Sequence, residues 1–548
     1  MFLALAGKLH AQQAEGGRAV LVKALLSEDQ DEQIQLIQQL VRLRDPLVER
    51  GLAAWRQSEV FLLERDGGRV PVVLDVQLDA DGKARAIQLL NGEFLKDGSG
   101  AELRFAAAEL TGAENTSKLR RAIKATMDLY ALSDPNEKIR RDAAIKLGQE
   151  QNPDYLTVFA DRLKEEVSLE VKDALTEAIA LTRAADADPT VRIPAIQQLG
   201  EMRSINGVGY LQELEAKAKA EPSKYGAETL NAAHTAVVQI QSYQAWGNLL
   251  GTAFRGLSLA AVLLVAALGL AITFGLMGVI NMAHGEIMMV GAYTAYVVQN
   301  VFKSWFGGSG GGFDLYFLFA LAVSFVVAGG VGLALERGVI RFLYKRPLES
   351  LLATWGVSLL LQQLFRHIFG AANVQVTSPG WLSGSFVFND VLFAYNRVFV
   401  IAFACFIVVA TWLLLTRTSL GLQVRAVMQN RAMASCVGVR TDRINMFTFA
   451  FGSGLAGMAG ACLSQIGNVG PSLGQNYIVD CFMIVVLGGV GSLFGTVFAS
   501  LGVGITDQIL QPWLGAVLGK ITVLAAVILF LQWRPAGIFP TRGRSLEG

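Results

Sequence analysis

Asn281, His284 and Glu286 fall within six residues, with Gly285 among them and Gly278 just before, and long apolar runs lie on both sides. An amide, an imidazole and a carboxylate at this spacing could hold a metal, pass a proton, or hydrogen-bond a polar solute. A third metal ligand is missing from the neighbourhood, so neither a metal site nor catalysis is expected. Polar groups between lipid-compatible segments are costly in hydrocarbon and usually face a bundle interior or a wet path. The stretch therefore points to passage of something across a membrane. Gly285 belongs to the same stretch, and Thr273 joins it as a candidate if its helix face turns inward.

Other residue patterns exclude chemistry more than they suggest it. No GxxxxGK[ST] occurs, so the chain cannot cradle ATP phosphates by itself. Gly488, Gly489 and Gly491 lie in an apolar stretch without a lysine and read as glycines of a broken helix. Gly452-Ser453-Gly454 has the look of a serine nucleophile, yet no His base accompanies it; a small-residue helix interface is the better account. Cys405, Cys436, Cys462 and Cys481 are irregularly spaced, so a zinc site is not expected and they read as small apolar residues. No cofactor and no nucleic-acid partner is expected. At membrane depth, Glu286, Asp480, Asp507 and Lys520 are ionisable and therefore candidates for function. For Asp480 and Lys520, a structural ion pair or snorkelling at span ends is an equal alternative.

The elements that must position these residues fall into two unlike halves. Residues 1–246 carry 30 Lys/Arg against 37 Asp/Glu, and residues 247–548 carry 17 against 9. The first half reads as a soluble acidic domain and the second as a membrane domain with sparse positive charge. Apolar segments of the roughly 20 residues needed to span occur near 256–277, 284–302, 316–336, 350–370, 396–416, 446–466 and 514–532. Segment 478–512 is interrupted by glycines and reads as two shorter helices or a re-entrant pair. Basic residues cluster at 337–346, at 417–443 and in the tail, which places those loops in the cytoplasm. Counting spans back puts the soluble half outside. The loop 417–445 is basic and helix-prone. It is either a plain positive-inside anchor or a short helix along the cytoplasmic face, with Ala432, Ala434 and Gly438 small enough for a close-fitting partner.

The expected fold is mainly α: a polytopic helical membrane domain of about seven spans plus the broken segment, preceded by a soluble α-rich domain with a small β portion. Residues 1–16 read as a possible signal-peptide remnant, or else as a plain helical start. Within the soluble domain (17–246), 17–55 looks helical. Residues 59–105 hold short strands separated by Asp-Gly turns. Residues 117–240 hold degenerate helical repeats: Asp134-Pro135…Ile139-Arg140…Leu147-Gly148 recurs at Asp188-Pro189…Val191-Arg192…Leu199-Gly200. Asp-Pro opens a helix, Val/Ile-Arg starts its buried stripe and Leu-Gly closes it, as in HEAT-type repeats. A purely structural bundle is the alternative. The permease-like membrane domain covers 247–540, and 541–548 forms a cytoplasmic tail.

Three motifs, GVINMAHGEIMMVGAY, RAVMQNRAMASCVGV and VVLGGVGSLFGTVFA, occur in this order. Together they resemble the permeases of branched-chain amino-acid-type ABC importers over about residues 247–540. That resemblance implies a coupling helix that docks on an ATPase and puts Arg425, Ala426, Asn430, Arg431, Ala434 and Gly438 in it, although the loop lacks a literal Glu-Ala-Ala. The long soluble extension resembles the B-type permease subunit of the urea branch of the family. It implies a bacterial inner-membrane importer with a second, related permease (a heterodimer), two ATPase subunits and a periplasmic urea-binding protein. Urea is small, neutral and hydrogen-bonding, so Asn281 could serve it. Import of branched-chain amino acids or short amides, a passive urea channel with a sensory domain, and a membrane-anchored scaffold are the alternatives.

Overall fold

A computed structural model describes residues 16–539, apart from 44, 66, 67, 80, 81, 98, 99, 309 and 345. The signal-peptide reading of 1–16 (but for Gly16), the tail at 541–548 and the turn residues Asp66, Gly67, Asp81 and Gly98 lie outside the described residues. The chain divides into two compact units, Met1–Gln244 and Ala245–Gly548.

In the first unit the expected single helical stretch at 17–55 is three helices: α1 (16–26), α2 (Gln30–Gln39) and α3 (Pro46–Arg56). Asp29 caps α2 by accepting from Asp31 N. Asp45 caps α3 by accepting from Leu47 N, with Pro46 next to it. Side-chain caps and proline at the first helical position are start signals, so each divides the run. Strands β1 (Val60–Arg65), β2 (Gly68–Leu78), β3 (Ala84–Gln88), β4 (Arg104–Phe105) and β5 (Thr111–Gly112) form one antiparallel sheet in the order β4-β3-β2-β1-β5. β5 lies beyond the expected 59–105. Two residues paired to Phe61 and Leu62 leave no periodicity to read. Trp55, fully buried, joins helices and sheet, and its Nε1 donates to Glu114 O at 2.7 Å.

Helices α4 (Ser117–Ala131), α5 (Glu137–Gln149), α6 (Leu156–Glu165), α7 (Leu169–Ala184), α8 (Pro189–Glu201) and α9 (Val208–Ala220) follow. The two Asp-Pro segments share a device that differs from the expected one. The arginine, not the aliphatic residue before it, goes inward: Ile139 and Val191 are exposed, and Arg192 is buried. Arg140 Nη1 donates to Asp134 O and Pro135 O (2.8 and 3.1 Å). Arg192 Nη1 donates to Asp186 O and Ala187 O (3.2 Å each). In both cases the guanidinium satisfies carbonyls five and six residues back, in the bend before the helix, where backbone ladders cannot. The closing glycines are equivalent too. Gly148 packs on Ala178 and Gly200 on Ala236, so closely that a Cβ would not fit.

Helix α10 (Pro222–Met277, with a non-helical Gly226) begins among the residues of the first unit, and in the second unit it is followed by α11 (His284–Phe306), α12 (Gly311–Asp314), α13 (Tyr316–Gly338), α14 (Pro347–Phe369), α15 (Tyr395–Arg417), α16 (Ser419–Gln429), α17 (Arg431–Cys436), α18 (Thr441–Leu463), α19 (Leu473–Gly488) and α20 (Leu493–Trp533). Of the seven stretches expected to span, five coincide with helices long and apolar enough to cross a membrane: α10, α13, α15, α18 and α20. The other two, α11 and α14, are 23 residues each but carry more polar side chains. α19 stops at Gly488, and Gly489 and Gly491 take positive φ before α20 begins. α20 itself reverses at Gly515 (φ 80°, ψ 166°), so Ile538 N and Phe539 N return to Leu487 O and Gly488 O. A two-stranded hairpin, β6 (Ser385–Phe388) and β7 (Val391–Ala394), was not expected; its turn residues Asn389 and Asp390 both have positive φ.

The middle of this unit is held by glycines. Gly291 of α11 meets Gly457 of α18 backbone to backbone, Gly460 lies on Met288 O, and Gly452 lies on Gly269 of α10. Helices approach this closely where a glycine leaves no side chain between the two backbones. Gly452-Ser453-Gly454 is thus part of a helix interface.

Candidate functional site

The break between α10 and α11 is built by local capping. Gly278 (φ 65°) ends α10 with its N–H on Phe274 O at 2.9 Å. Asn281 Oδ1 accepts from Ala283 N (3.1 Å) and turns the chain into α11. The loop is tied to α14, where Thr354 Oγ1 accepts from Met282 N (3.1 Å). His284 Nε2 donates to Ala266 O of α10 at 2.9 Å. Gly285 packs against Gly474 at the start of α19.

Glu286 stands in the first turn of α11, where the helix dipole favours a negative charge. Its Oε1 accepts from Gln362 Nε2 (2.7 Å) and Ser358 Oγ (3.1 Å). Its Oε2 has no partner among the described residues, and neither has Asn281 Nδ2 nor His284 Nδ1, although all three side chains are at most 1% exposed. An open acceptor and an open donor at a helix break are unusual in a protein interior, where buried polar atoms are nearly always paired.

The partners of Glu286 come from a stripe the sequence reading missed. Ser350, Thr354, Ser358 and Gln362 recur every four residues along α14 and are all buried. Four-residue spacing puts them on one helix face, and that periodicity in an otherwise apolar helix was the available signal. α14 runs parallel to α11: Met282 pairs with Thr354, Glu286 with Ser358, and Tyr293 with Phe365, at a constant offset. Beyond the carboxylate, Tyr293 stacks on Phe369 with ring centroids 4.5 Å apart and closes this end of the site. Thr273 is not gathered in. Its hydroxyl donates to Gly269 O and Leu270 O of its own helix, and its methyl abuts Gly452.

Of the other intramembrane charges, Lys520 Nζ lies 2.9 Å from Asp480 Oδ2 and 3.0 Å from Asn476 O, a structural ion pair. Asp507 accepts from Gln511 Nε2 at 2.7 Å.

The basic loop forms two short helices, α16 and α17, hinged at Asn430, whose side chain caps α17 through Met433 N (3.0 Å). Ala434 is buried against Val424 and Val427, so it supports the loop instead of facing a partner. Arg425 stays exposed while its Nη1 donates to Leu415 O. Among the exposed residues of α17 and its end, Met433 and Val437 are large and apolar, 62% and 80% exposed, a pair the sequence reading overlooked. Gly438 (φ 90°) ends the loop. Arg431 lies over the Tyr344 ring (4.8 Å to its centroid) and 3.4 Å from Asp442, while Tyr344 Oη donates to Glu336 of α13. α17 is thereby tied to the end of a membrane helix.

The sequence profile of the family described as branched-chain amino acid transport system / permease component matches residues 252–531, just over half of the chain. The chain belongs to this family. It is 28% identical over 294 residues to the high-affinity branched-chain amino acid transport system permease protein BraD of Pseudomonas aeruginosa, covering 52% of this chain and 93% of that protein. It is 27% identical over 297 residues to the corresponding protein LivH of Escherichia coli K12, with the same coverage. Against the probable permease LivH of Methanocaldococcus jannaschii it is 26% identical over 299 residues, covering 50% of this chain and 88% of the relative. These relatives are permease proteins of transport systems, not enzymes. No solved structure matches the chain.

Proposed function

We propose that this family member is the membrane subunit of an ATP-driven importer for a small neutral amide, with urea the first candidate. The observation that carries the reading is the pair of open groups at the α10–α11 break. Asn281 Nδ2 can donate to a carbonyl and Glu286 Oε2 can accept from an N–H, a complement to an amide. An amino-acid zwitterion also needs a cation for its carboxylate, and no Lys or Arg stands among the described residues joined to this break. The soluble unit supports a distinct branch, since relatives are spanned almost end to end by about half of this chain.

In this reading Asn281, His284, Gly285 and Glu286 line or shape the path, and Thr273 supports it from behind. Arg425, Asn430, Arg431 and Gly438 form the outward part of the coupling helix, with Ala426 and Ala434 as its inner face. The partners are a second permease, two ATPase subunits and a periplasmic binding protein. The first unit is an extracytoplasmic, HEAT-like platform, the basic loops face the cytoplasm, and Gly488, Gly489 and Gly491 break the helix at that side. The names of the relatives favour a second reading, import of branched-chain amino acids.

Uptake of labelled urea by the reconstituted complex separates these. Competition by acetamide and not by leucine supports the amide reading, and competition by leucine alone refutes it. Uptake that persists without ATP would instead indicate a passive channel.

A further inference from the structure

One surface feature, bordered by Gly438 of the coupling helix, has no ligand in that reading. At the basic end of the second unit, a pocket of about 520 Å³ lies between the end of α13 and the start of α18. Arg337, Arg341, Arg440 and Arg443 line it, and none of them pairs with a carboxylate among the described residues. Its two carboxylates are already engaged, Glu336 by Tyr344 Oη and Asp442 by Arg431. The first turn of α18 opens onto the same pocket without a side-chain cap, leaving backbone N–H groups at a positive helix end. Unpaired guanidinium groups beside a free helix N-terminus suit a phosphate, whose oxygens accept from both.

A groove of about 560 Å³ on the membrane side indicates where the rest of the ligand goes. It is apolar and includes Phe325, Gly329 and Leu333 of α13 with Leu415, Phe447 and Phe451. Glu336 and Arg337 continue the Gly329–Leu333 face by one further turn, so along α13 the groove leads into the basic pocket. We propose that the two together bind an anionic phospholipid, its phosphate-bearing headgroup among the four arginines and an acyl chain in the groove. A free phosphate would satisfy the arginines but would leave the groove without an occupant.

The test uses the whole transporter purified from membranes, with co-purified lipid quantified by mass spectrometry. Wild type should hold phosphatidylglycerol above its bulk proportion. R337Q/R341Q and R440Q/R443Q should each lower that enrichment by about fivefold or more, since a basic residue near a membrane surface is worth roughly that factor. R337K/R341K, which keeps the charge, should retain most of the enrichment and shows that loss in the Gln variants is not misfolding. Phosphatidylethanolamine content should not change. Phosphatidylglycerol at bulk proportion in wild type, or enrichment indifferent to the Gln variants, would overturn the proposal. So would displacement of the lipid by inorganic phosphate with the same arginine dependence. Loss of the ATPase subunits from the Gln variants with lipid content unchanged would overturn it too, by making the pocket a protein-docking surface.

Discussion

At the scale of single residues, Glu286 is held by three neighbours of different kinds: the α11 N-terminus, Ser358 and Gln362. Hydrogen bonds to a charged group contribute about 1.5–3 kcal/mol, so Glu286→Ala should lower coupled uptake roughly 10- to 100-fold at normal expression. Glu286→Gln, which keeps the shape and loses the charge, should be milder; equal uptake by wild type and the Ala variant would remove Glu286 from the path. In the first unit, Glu166 shows what a fully paired buried carboxylate looks like. Arg140 donates to both its oxygens at 2.9 Å, and Arg162 and the N–H groups of Val167 and Ser168 add to this. Chiefly through the Arg140 contact, its pKa falls from 4.5 to about 2. A depressed carboxylate pKa adds stability that is present above the unfolded value and disappears as pH falls through the folded one. Glu166→Gln should therefore destabilise the first unit by about 3 kcal/mol at pH 7. The difference should shrink as pH falls from 4.5 towards 2, as read by hydrogen exchange in the intact chain.

Among elements, the tight contacts are those where a glycine meets a neighbouring backbone, as Gly291 meets Gly457. Gly291→Leu would force α11 off α18, where it lies against Gly457, and we expect loss of the assembled membrane unit, seen as failure to purify with the complex. The Arg431–Tyr344–Glu336 chain predicts a different failure. Tyr344→Phe removes the hydroxyl that reaches α13 but keeps the ring under Arg431, so ATPase subunits should still bind while stimulation by the loaded binding protein weakens. Unchanged stimulation would show that the chain carries no signal. Much of this scale was legible in the sequence, because apolar length and glycine breaks are local properties. What was not legible depended on neighbours. Ile139 and Val191 read with Arg140 and Arg192 as the start of a buried stripe, and that the arginines alone go inward depends on the carbonyls they satisfy. Ala434 reads as a contact residue until Val424 and Val427 cover it. Strand β5 exists only because Phe61 and Leu62 offer an edge.

For the molecule as a whole, the split between an acidic first unit and an apolar second one was evident from charge alone, as was the polar break at 278–286. The identity of the groups facing that break was not, because α14 is distant in sequence and becomes a partner only through packing. The Ser350-Thr354-Ser358-Gln362 stripe has a further property. Its repeat equals the rise of about one helical turn, close to 6 Å. If α14 slid by that distance along α11, Glu286 would exchange Ser358 and Gln362 for Thr354 and Ser358, and Met282 N would exchange Thr354 for Ser350. Every lost partner is replaced by a hydroxyl. The two helices thus share a bonding pattern with two equivalent registers, a vernier along which a permease of this family could change shape without leaving the Glu286 carboxyl bare at either stop.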